Sequence, residues 1–350
     1  MTNTKGMNLD KLEKILVNEP RYRTDQVKRA VFFDLIENWD EATTLPLALR
    51  EKLNAECPLE IEAKIFSDQN DPTKKAVITF DDGMKIETVL MSYVGKKEEN
   101  KAPRHTVCVS SQAGCALGCT FCATGQQGWQ RNLTAGEIVS QVLFFARWLK
   151  KENERVTNVV FMGMGEPFLN YEEVLKALKI LMDQKGLAIG ARHLSVSTIG
   201  IPEKIEKFAN EGVQVNLALS LHAPNDELRT ELAPVNAKYN LQSVLRAVDD
   251  YLAKTKRKVM LEYVMIDGVN DSDFLAKELV QLIRTHIKKE RQYLCLVNLI
   301  AYNPTGKFRV SPREQILKFK KILEDAGLQV TERFRFGRGV KGACGQLIFK

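Results

Sequence analysis

The chain has 350 residues, 44% of them hydrophobic and 27% charged, with a mean hydropathy of −0.23. This suits about two globular domains with a full core and excludes a disulfide mini-protein, a disordered chain and a membrane span. The net charge of +7 is unevenly placed: residues 251–350 hold 20 Lys and Arg against 10 Asp and Glu, a local +10 that leaves −3 for the rest and suits a polyanion such as RNA.

In chain order, the first sixty residues read as short amphipathic helices. Leu9, Leu12, Ile15 and Leu16, then Val27, Ala30, Val31 and Leu35, then Leu45, Leu47, Leu49 and Leu53 recur at helical spacing. Strand-like alternation follows in IEAKIF (61–66), AVITF (76–80) and KIETVLM (85–91), with turn chemistry at 68–73 and 81–83. The charged run 96–101 reads as a linker. It divides the chain into an N-terminal helical accessory domain (1–60), a small β segment with its linker (61–100) and a core (101–350).

In the core, strand-like segments at 105–110, 158–164, 193–199, 213–221, 258–266 and 293–300 alternate with helical ones at 134–151, 171–184, 201–210, 241–254, 271–288 and 311–326. Thr134 followed by Glu137 makes a capping box for the first of these helices. Six such units predict an α/β fold with a partial (β/α)6 barrel whose chemistry lies at the C-terminal strand ends. The most apolar stretch, 139–149, is broken by Gln141 and Arg147 and is shorter than the roughly 20 residues a membrane helix needs. With no signal-type apolar run at the N-terminus, the expected location is cytoplasmic, where thiols stay reduced.

Seven cysteines are present: Cys57, Cys108, Cys115, Cys119, Cys122, Cys295 and Cys344. Three of them form Cys115-x3-Cys119-x2-Cys122 in a loop with Gly114, Gly118, Gly125 and Gly128, directly after the first barrel-type strand. A loop can converge thiolates on one soft metal centre, which a straight helix or strand does not. A four-iron cluster normally takes four thiolates, so three leave one iron open to a small molecule, by the logic that makes three-ligand zinc sites catalytic. A zinc site completed by a distant residue is the other reading of the same thiols.

This cysteine pattern, with Phe121 before its last member, resembles the radical S-adenosylmethionine (SAM) superfamily. The resemblance implies a 4Fe-4S cluster on Cys115, Cys119 and Cys122, with SAM chelated at the open iron. CVSSQAGCALGCTFCATG (108–125), FMGMGEPFLN (161–170), LSVSTIGI (194–201), LALSLHAPND (217–226), EYVMIDGVND (262–271), NLIAYNP (298–304) and GACGQL (342–347) occur in that order. Together they resemble the RlmN/Cfr family, radical SAM methyltransferases that methylate adenosine carbons of ribosomal and transfer RNA.

Adenine C2 and C8 are electron-poor, so polar attack on a sulfonium methyl would be slow, and a radical route with a covalent carrier avoids it. The family resemblance implies that Cys344 takes a methyl group from one SAM and carries it to the base. It implies that Cys108 forms a transient disulfide with this carrier to release the product, and that Glu87 removes the ring proton. It also implies SAM binding by Gly165, Glu166, Ser197, Ser220, Leu221, His222 and Asn303. Gly163 and Gly165 would let backbone approach the ligand, and the Glu166 carboxylate would accept from its amino group. Taken alone, Cys108 reads as a structural thiol, Glu87 as a surface strand carboxylate and His222 as a core histidine. Cys57 and Cys295 match no motif and read as core.

RNA contact is expected at FRFGRGVK (334–341) and at PRYRTDQVKR (20–29), with the target adenine flipped out of its stack. Pro167 in GEP matches the C2-methylating RlmN type acting on 23S rRNA and tRNA. Ile199, Phe336-Gly337 and the lack of acidic residues from Gly339 to Gly342 are similar to the C8-methylating Cfr type, which confers ribosomal antibiotic resistance. C2 methylation is the favoured expectation, with an electron donor such as flavodoxin or ferredoxin as partner, a monomer as the state and no membrane involved. An activase or maturase would need no carrier cysteine, and an RNA-binding zinc module would leave GEP, SLH and Cys344 without a task.

Overall fold

The computed structural model describes residues 8–69, 71–93, 102–333, 337 and 339–348. The N-terminal helices are α1 (Leu9–Leu16), α2 (Arg21–Phe32) and α3 (Leu47–Glu56), followed by strands β1 (Ala63–Asp68), β2 (Asp71–Thr79) and β3 (Lys85–Tyr93). Next come β4 (Arg104–Cys108), a hairpin of β5 (Gln112–Gly114) and β6 (Trp129–Asn132) enclosing α4 (Ala123–Gln127), and α5 (Ala135–Lys151). The remainder alternates: β7 (Asn158–Phe161), α6 (Tyr171–Met182), β8 (Leu194–Thr198), α7 (Pro202–Asn210), β9 (Asn216–Ser220), α8 (Asp226–Leu232), α9 (Leu241–Thr255), β10 (Val259–Met265), α10 (Asp273–His286), β11 (Cys295–Ala301), α11 (Arg313–Asp325) and β12 (Gln329–Glu332).

Ten strands form one sheet in the order β1-β2-β3-β4-β7-β8-β9-β10-β11-β12. From β4 onward every neighbour is parallel. The six expected barrel strands are all present, and β12 adds a seventh after α11. The strands β1 to β3 extend the same sheet, since β3 pairs antiparallel with β4 through Val89 and Cys108. The expected linker at 96–101 lies outside the described residues.

The capping box forms: Thr134 Oγ1 accepts from the Glu137 N–H at 3.2 Å and Glu137 accepts from the Thr134 N–H at 2.8 Å. Ile138, Val142, Leu143 and Phe145 of α5 are completely buried, each contributing about 1.5–3 kcal/mol. Gln141 and Arg147, which interrupt the apolar run of α5, are used as ties. Gln141 Oε1 accepts from the Ser110 N–H at 2.7 Å while its amide donates to the Ser110 carbonyl at 2.9 Å. Arg147 donates to the Leu59 carbonyl at 2.9 Å and so fixes the N-terminal helices on α5, where Lys151 also pairs with Glu37. Within that helical region Trp39 is wholly buried and its indole N–H donates to the Cys57 carbonyl at 2.7 Å. Cys57 and Cys295 are both core residues, as read. No helix among the described residues is long and apolar enough to cross a membrane.

Candidate active site

The C-terminal ends of the parallel strands surround an open cleft of about 1000 Å³. Cys115, Cys119 and Cys122 all line it, on the loop between β5 and α4. This loop is pinned at several points. The Cys115 N–H donates to the Gly128 carbonyl at 3.0 Å, and the Thr120 N–H donates to the Leu232 carbonyl of α8 at 2.9 Å. Gly125 passes so close to Cys119 that a Cβ on it would stand 2.9 Å from the Cys119 backbone nitrogen. Burial pushes the Cys115 thiol up to about 12 and raises Cys119 further, with the neighbouring thiols adding to it. These thiols ionise readily only against a cation such as a metal centre. Three soft thiols lining one cleft are a donor set that suits an iron–sulfur cluster with an open position.

The cleft wall gathers the other residues expected to bind SAM. Gly165, Glu166, Ser197, Ser220, His222 and Asn303 all line it. Leu221 does not: it is buried, and its N–H donates to the Glu262 carbonyl at 3.0 Å. The two glycines serve the chain's own packing. A Cβ on Gly163 would stand 2.7 Å from the Val109 carbonyl oxygen, and Gly165, at φ +96°, would place one 2.5 Å from Gln112 Cβ. Both pack the turn after β7 against the segment from Val109 to Gln112, and both also line the cleft. Glu166 accepts from the Phe168 N–H at 3.0 Å and the Ile199 N–H at 2.9 Å. Its burial outweighs those bonds and raises its carboxyl to about 7. Ser197 and Ser220 face each other at 3.3 Å between their hydroxyls.

His222 sits at φ +62° with its ring edge-on to Phe121, centroids 4.7 Å apart. Its Nδ1 accepts from the Val264 N–H at 3.2 Å, and burial, then the Arg229 cation, lowers its pKa to about 3, so it is a neutral ring at the cleft. Arg229 itself was invisible as a functional residue in the sequence, where it reads as a solvated charge on a helix. It is fully buried and donates to the carbonyls of Leu221 (3.1 Å), Ile199 (2.5 Å) and Ser220 (3.2 Å) and to Asn236 Oδ1 (2.8 Å). One guanidinium thus ties together the ends of β8 and β9 beside the cleft residues Ile199, Ser220 and His222.

The segment 339–348 closes the remaining side. Cys344 is exposed where the cleft meets a second cavity, and Cys108 lines that second cavity from β4 together with Met162 and Arg333. Asn303 donates to the Cys344 carbonyl at 3.1 Å, and the Ala123 N–H of the cysteine loop donates to the Gly345 carbonyl at 2.8 Å. Crowding raises the Cys344 thiol, while the Arg333 guanidinium pulls it down. All seven cysteines are free, so the disulfide expected between Cys108 and Cys344 is absent. Burial holds the Cys108 thiol up at about 12 on a rigid strand, away from its thiolate form. Glu87 lines neither cavity. It is buried on β3 behind the C-terminal segment, pairing with Lys75 at 2.6 Å and accepting from the Ile348 N–H at 2.9 Å.

Of the two expected RNA-contact stretches, 334–336 and 338 lie outside the described residues. The other lies on α2, where Arg21, Lys28 and Arg29 are exposed, Tyr22 is 57% exposed and the Arg23 guanidinium stands 5.0 Å over its ring.

Comparison with known proteins decides the family. The Radical SAM superfamily pattern matches residues 109–277. A ribosomal RNA large subunit methyltransferase N of Nitrosopumilus maritimus is 41% identical over 99% of this chain and 98% of its own. The chain belongs to the RlmN family of radical SAM RNA methyltransferases. A probable dual-specificity RNA methyltransferase RlmN of Chloroflexus aurantiacus is 43% identical over 97% of this chain and 91% of its own. The crystal structure of a radical SAM methyltransferase from Sphaerobacter thermophilus superposes with a TM-score of 0.88 at 42% identity, covering 98% of both chains. Membership in the RlmN family brings a 4Fe-4S cluster and SAM as cofactors, and the cleft holds the soft thiols and polar strand ends that suit them.

Proposed function

We infer that this chain methylates C2 of an adenosine in 23S rRNA, and in tRNA, through an S-methylated Cys344, acting as a cytoplasmic monomer. The observation that carries this reading is the station of Cys344 between two cavities, one lined by Cys115, Cys119, Cys122 and Glu166 and the other by Cys108. A thiol serving only as structure would have no reason to face both.

When bound, the cluster and SAM supply a methyl group on a sulfonium and a 5′-deoxyadenosyl radical. The residues of the chain then divide the work. Cys115, Cys119 and Cys122 ligate the cluster, and Glu166, Ser197, Ser220, His222 and Asn303 orient SAM. Cys344, whose thiol burial raises and the Arg333 guanidinium pulls back down, gives its proton to solvent and takes the methyl group: its S–C bond forms as the sulfonium S–CH3 bond of SAM breaks and S-adenosylhomocysteine leaves. After that group has lost a hydrogen atom to the deoxyadenosyl radical its carbon joins the adenine ring, Glu87 takes the ring proton, and the one electron left over would return to the cluster, which gives one when SAM is cleaved. Cys108 next gives up its thiol proton and attacks the Cys344 sulfur. The S–S bond forms as the S–CH2 bond breaks, and the departing carbon takes a proton to become the methyl of the product. On this reading the disulfide is transient and is reduced again by an external thiol, while an electron donor of flavodoxin or ferredoxin type feeds the cluster.

Pro167 and the RlmN name carried by the relatives support C2 over C8. The exposed basic and aromatic face of α2 supports RNA contact there. The test is anaerobic reconstitution, incubation with unmodified 23S rRNA and tRNA transcripts, and nucleoside mass analysis against 2-methyladenosine and 8-methyladenosine standards. 2-Methyladenosine is expected from the wild type and no product from Cys344→Ala. 8-Methyladenosine in its place would overturn the regiochemistry, and methylation by Cys344→Ala would overturn the carrier.

A further inference from the structure

We propose that Lys75 is the positioning residue for Glu87, holding one carboxylate oxygen so that the other is left to receive the ring proton. The inference rests on the reading of Glu87 as the base.

The register of the antiparallel pair sets Val77 opposite Glu87 and Lys75 opposite Val89. Lys75 and Glu87 are therefore diagonal neighbours on one face of the sheet, within reach of a long side chain. Lys75 Nζ meets Glu87 Oε1 at 2.6 Å, and the two residues are only 8% and 2% exposed. A charge so enclosed is kept only with a partner. Burial pushes the Glu87 carboxyl up, and the Lys75 ammonium is the charged group that opposes it. Without that ammonium the carboxyl would rest in its neutral form, which already holds the proton it has to accept.

The two oxygens are thereby made unequal. Oε1 belongs to Lys75, while Oε2 accepts the N–H of Ile348, four residues after Cys344. Lys75 also lies beside the carrier segment: a Cβ on Gly342 would sit 3.6 Å from Lys75 Cβ and 3.4 Å from Val89. Val89 in turn pairs with Cys108 on β4, so Lys75, Val89 and Cys108 form a row beneath the segment that bears Cys344. For Oε2 to take the proton the Ile348 N–H has to leave it, a step assigned to RNA binding. In the proton step an O–H bond forms at Oε2, the ring C–H bond breaks, and its electron pair stays with the purine ring. Lys75 remains on Oε1 throughout and prevents the carboxylate from rotating or protonating early.

The experiment uses reconstituted holoenzyme with Lys75→Met, Lys75→Arg and Glu87→Gln, and two readouts. The first is labelled methyl transfer from SAM to Cys344, which needs no ring proton removal. The second is methyladenosine formation in a 23S rRNA transcript, with covalent protein–RNA adduct followed on a denaturing gel. Lys75→Met is expected to load Cys344 as the wild type does, to methylate RNA about 100-fold more slowly and to accumulate adduct. Lys75→Arg, which keeps the cation, is expected to recover most of the rate. Wild-type RNA methylation by Lys75→Met beside an inactive Glu87→Gln overturns the role of Lys75 and leaves Glu87 as base. An active Glu87→Gln overturns the base itself. Loss of Cys344 loading in both Lys75 variants overturns the proposal by assigning Lys75 to folding.

Discussion

Asn303 donates its side-chain amide to the carbonyl of Cys344 across 3.1 Å, joining the end of a barrel strand to the backbone of the exposed cysteine. The same loop reaches further, since Thr305 Oγ1 donates to the Phe121 carbonyl and Gln346 donates to the Pro304 carbonyl. Cysteine loop, strand end and C-terminal segment are one bonded assembly, which lets Cys344 be held at the cleft on a segment with few apolar anchors of its own.

Asn303→Ala removes the donor that fixes the Cys344 carbonyl at the cleft edge. A bond of this kind contributes about 1 kcal/mol, so methyl loading of Cys344 is expected to slow by about 5-fold with the unfolding midpoint nearly unchanged. Labelled methyl transfer from SAM measures the first and denaturant titration the second. Wild-type loading would detach this contact from the carrier function.

Arg229 presents a planar fork to the carbonyls of Leu221, Ile199 and Ser220, and burial lowers its own pKa to about 10. A lysine carries the charge but cannot reach separate acceptors in one plane. Arg229→Lys is expected to cost about 3–5 kcal/mol in urea unfolding, because it leaves a charge and several carbonyls buried without partners. An unchanged midpoint would show that water takes the place of the guanidinium.

Two cleft groups titrate with opposite sign in the cluster-free protein. His222 falls from 6.5 to about 3, chiefly by burial, so the folded state binds fewer protons than the unfolded chain in that window and stability drops as pH falls through it. Glu166 rises from 4.5 to about 7, so the folded state binds more protons and its contribution, complete below 4.5, is lost as pH rises through about 7. The stability of wild type relative to His222→Asn is expected to decline from about pH 6.5 to about pH 4, and that relative to Glu166→Gln to decline from about pH 5 to about pH 8. Denaturant unfolding across pH gives both differences, and a flat one refutes the corresponding shift.

Local signals carried much of this structure. The period of Ile138, Val142 and Leu149 and the Thr134 and Glu137 box mark α5, and the alternating β runs mark the six principal strands. The strand β12 escaped because Gln329, Val330, Thr331 and Glu332 place one clear apolar residue in a four-residue edge strand, and α8 because seven residues cannot display a helical stripe. The cysteine loop could be read because its chemistry is concentrated in eight residues. Arg229 and the pairing of Lys75 with Glu87 could not, since one depends on loop carbonyls from different strands and the other on a cross-strand diagonal that only the register supplies.

Gly125 tests whether the cysteine loop is shaped by backbone contact or only by its three thiols. It lies in α4, and a Cβ there would come within 2.9 Å of the Cys119 nitrogen and 3.0 Å of the Cys119 oxygen. Both are backbone atoms, so the loop itself must move. Gly118 offers the contrast: it has φ +65° and nothing within 4 Å of a built Cβ, so a side chain there meets strain but no obstacle. Asparagine tolerates that left-handed conformation at a cost of about 1 kcal/mol. Gly125→Ala is expected to fold, with unchanged far-ultraviolet circular dichroism, yet to bind markedly less iron on anaerobic reconstitution, whereas Gly118→Asn keeps the brown chromophore. The methyl group of Gly125→Ala displaces Cys119 while leaving all three sulfurs chemically intact, so equal iron content in the two variants would mean that the thiols alone determine cluster binding.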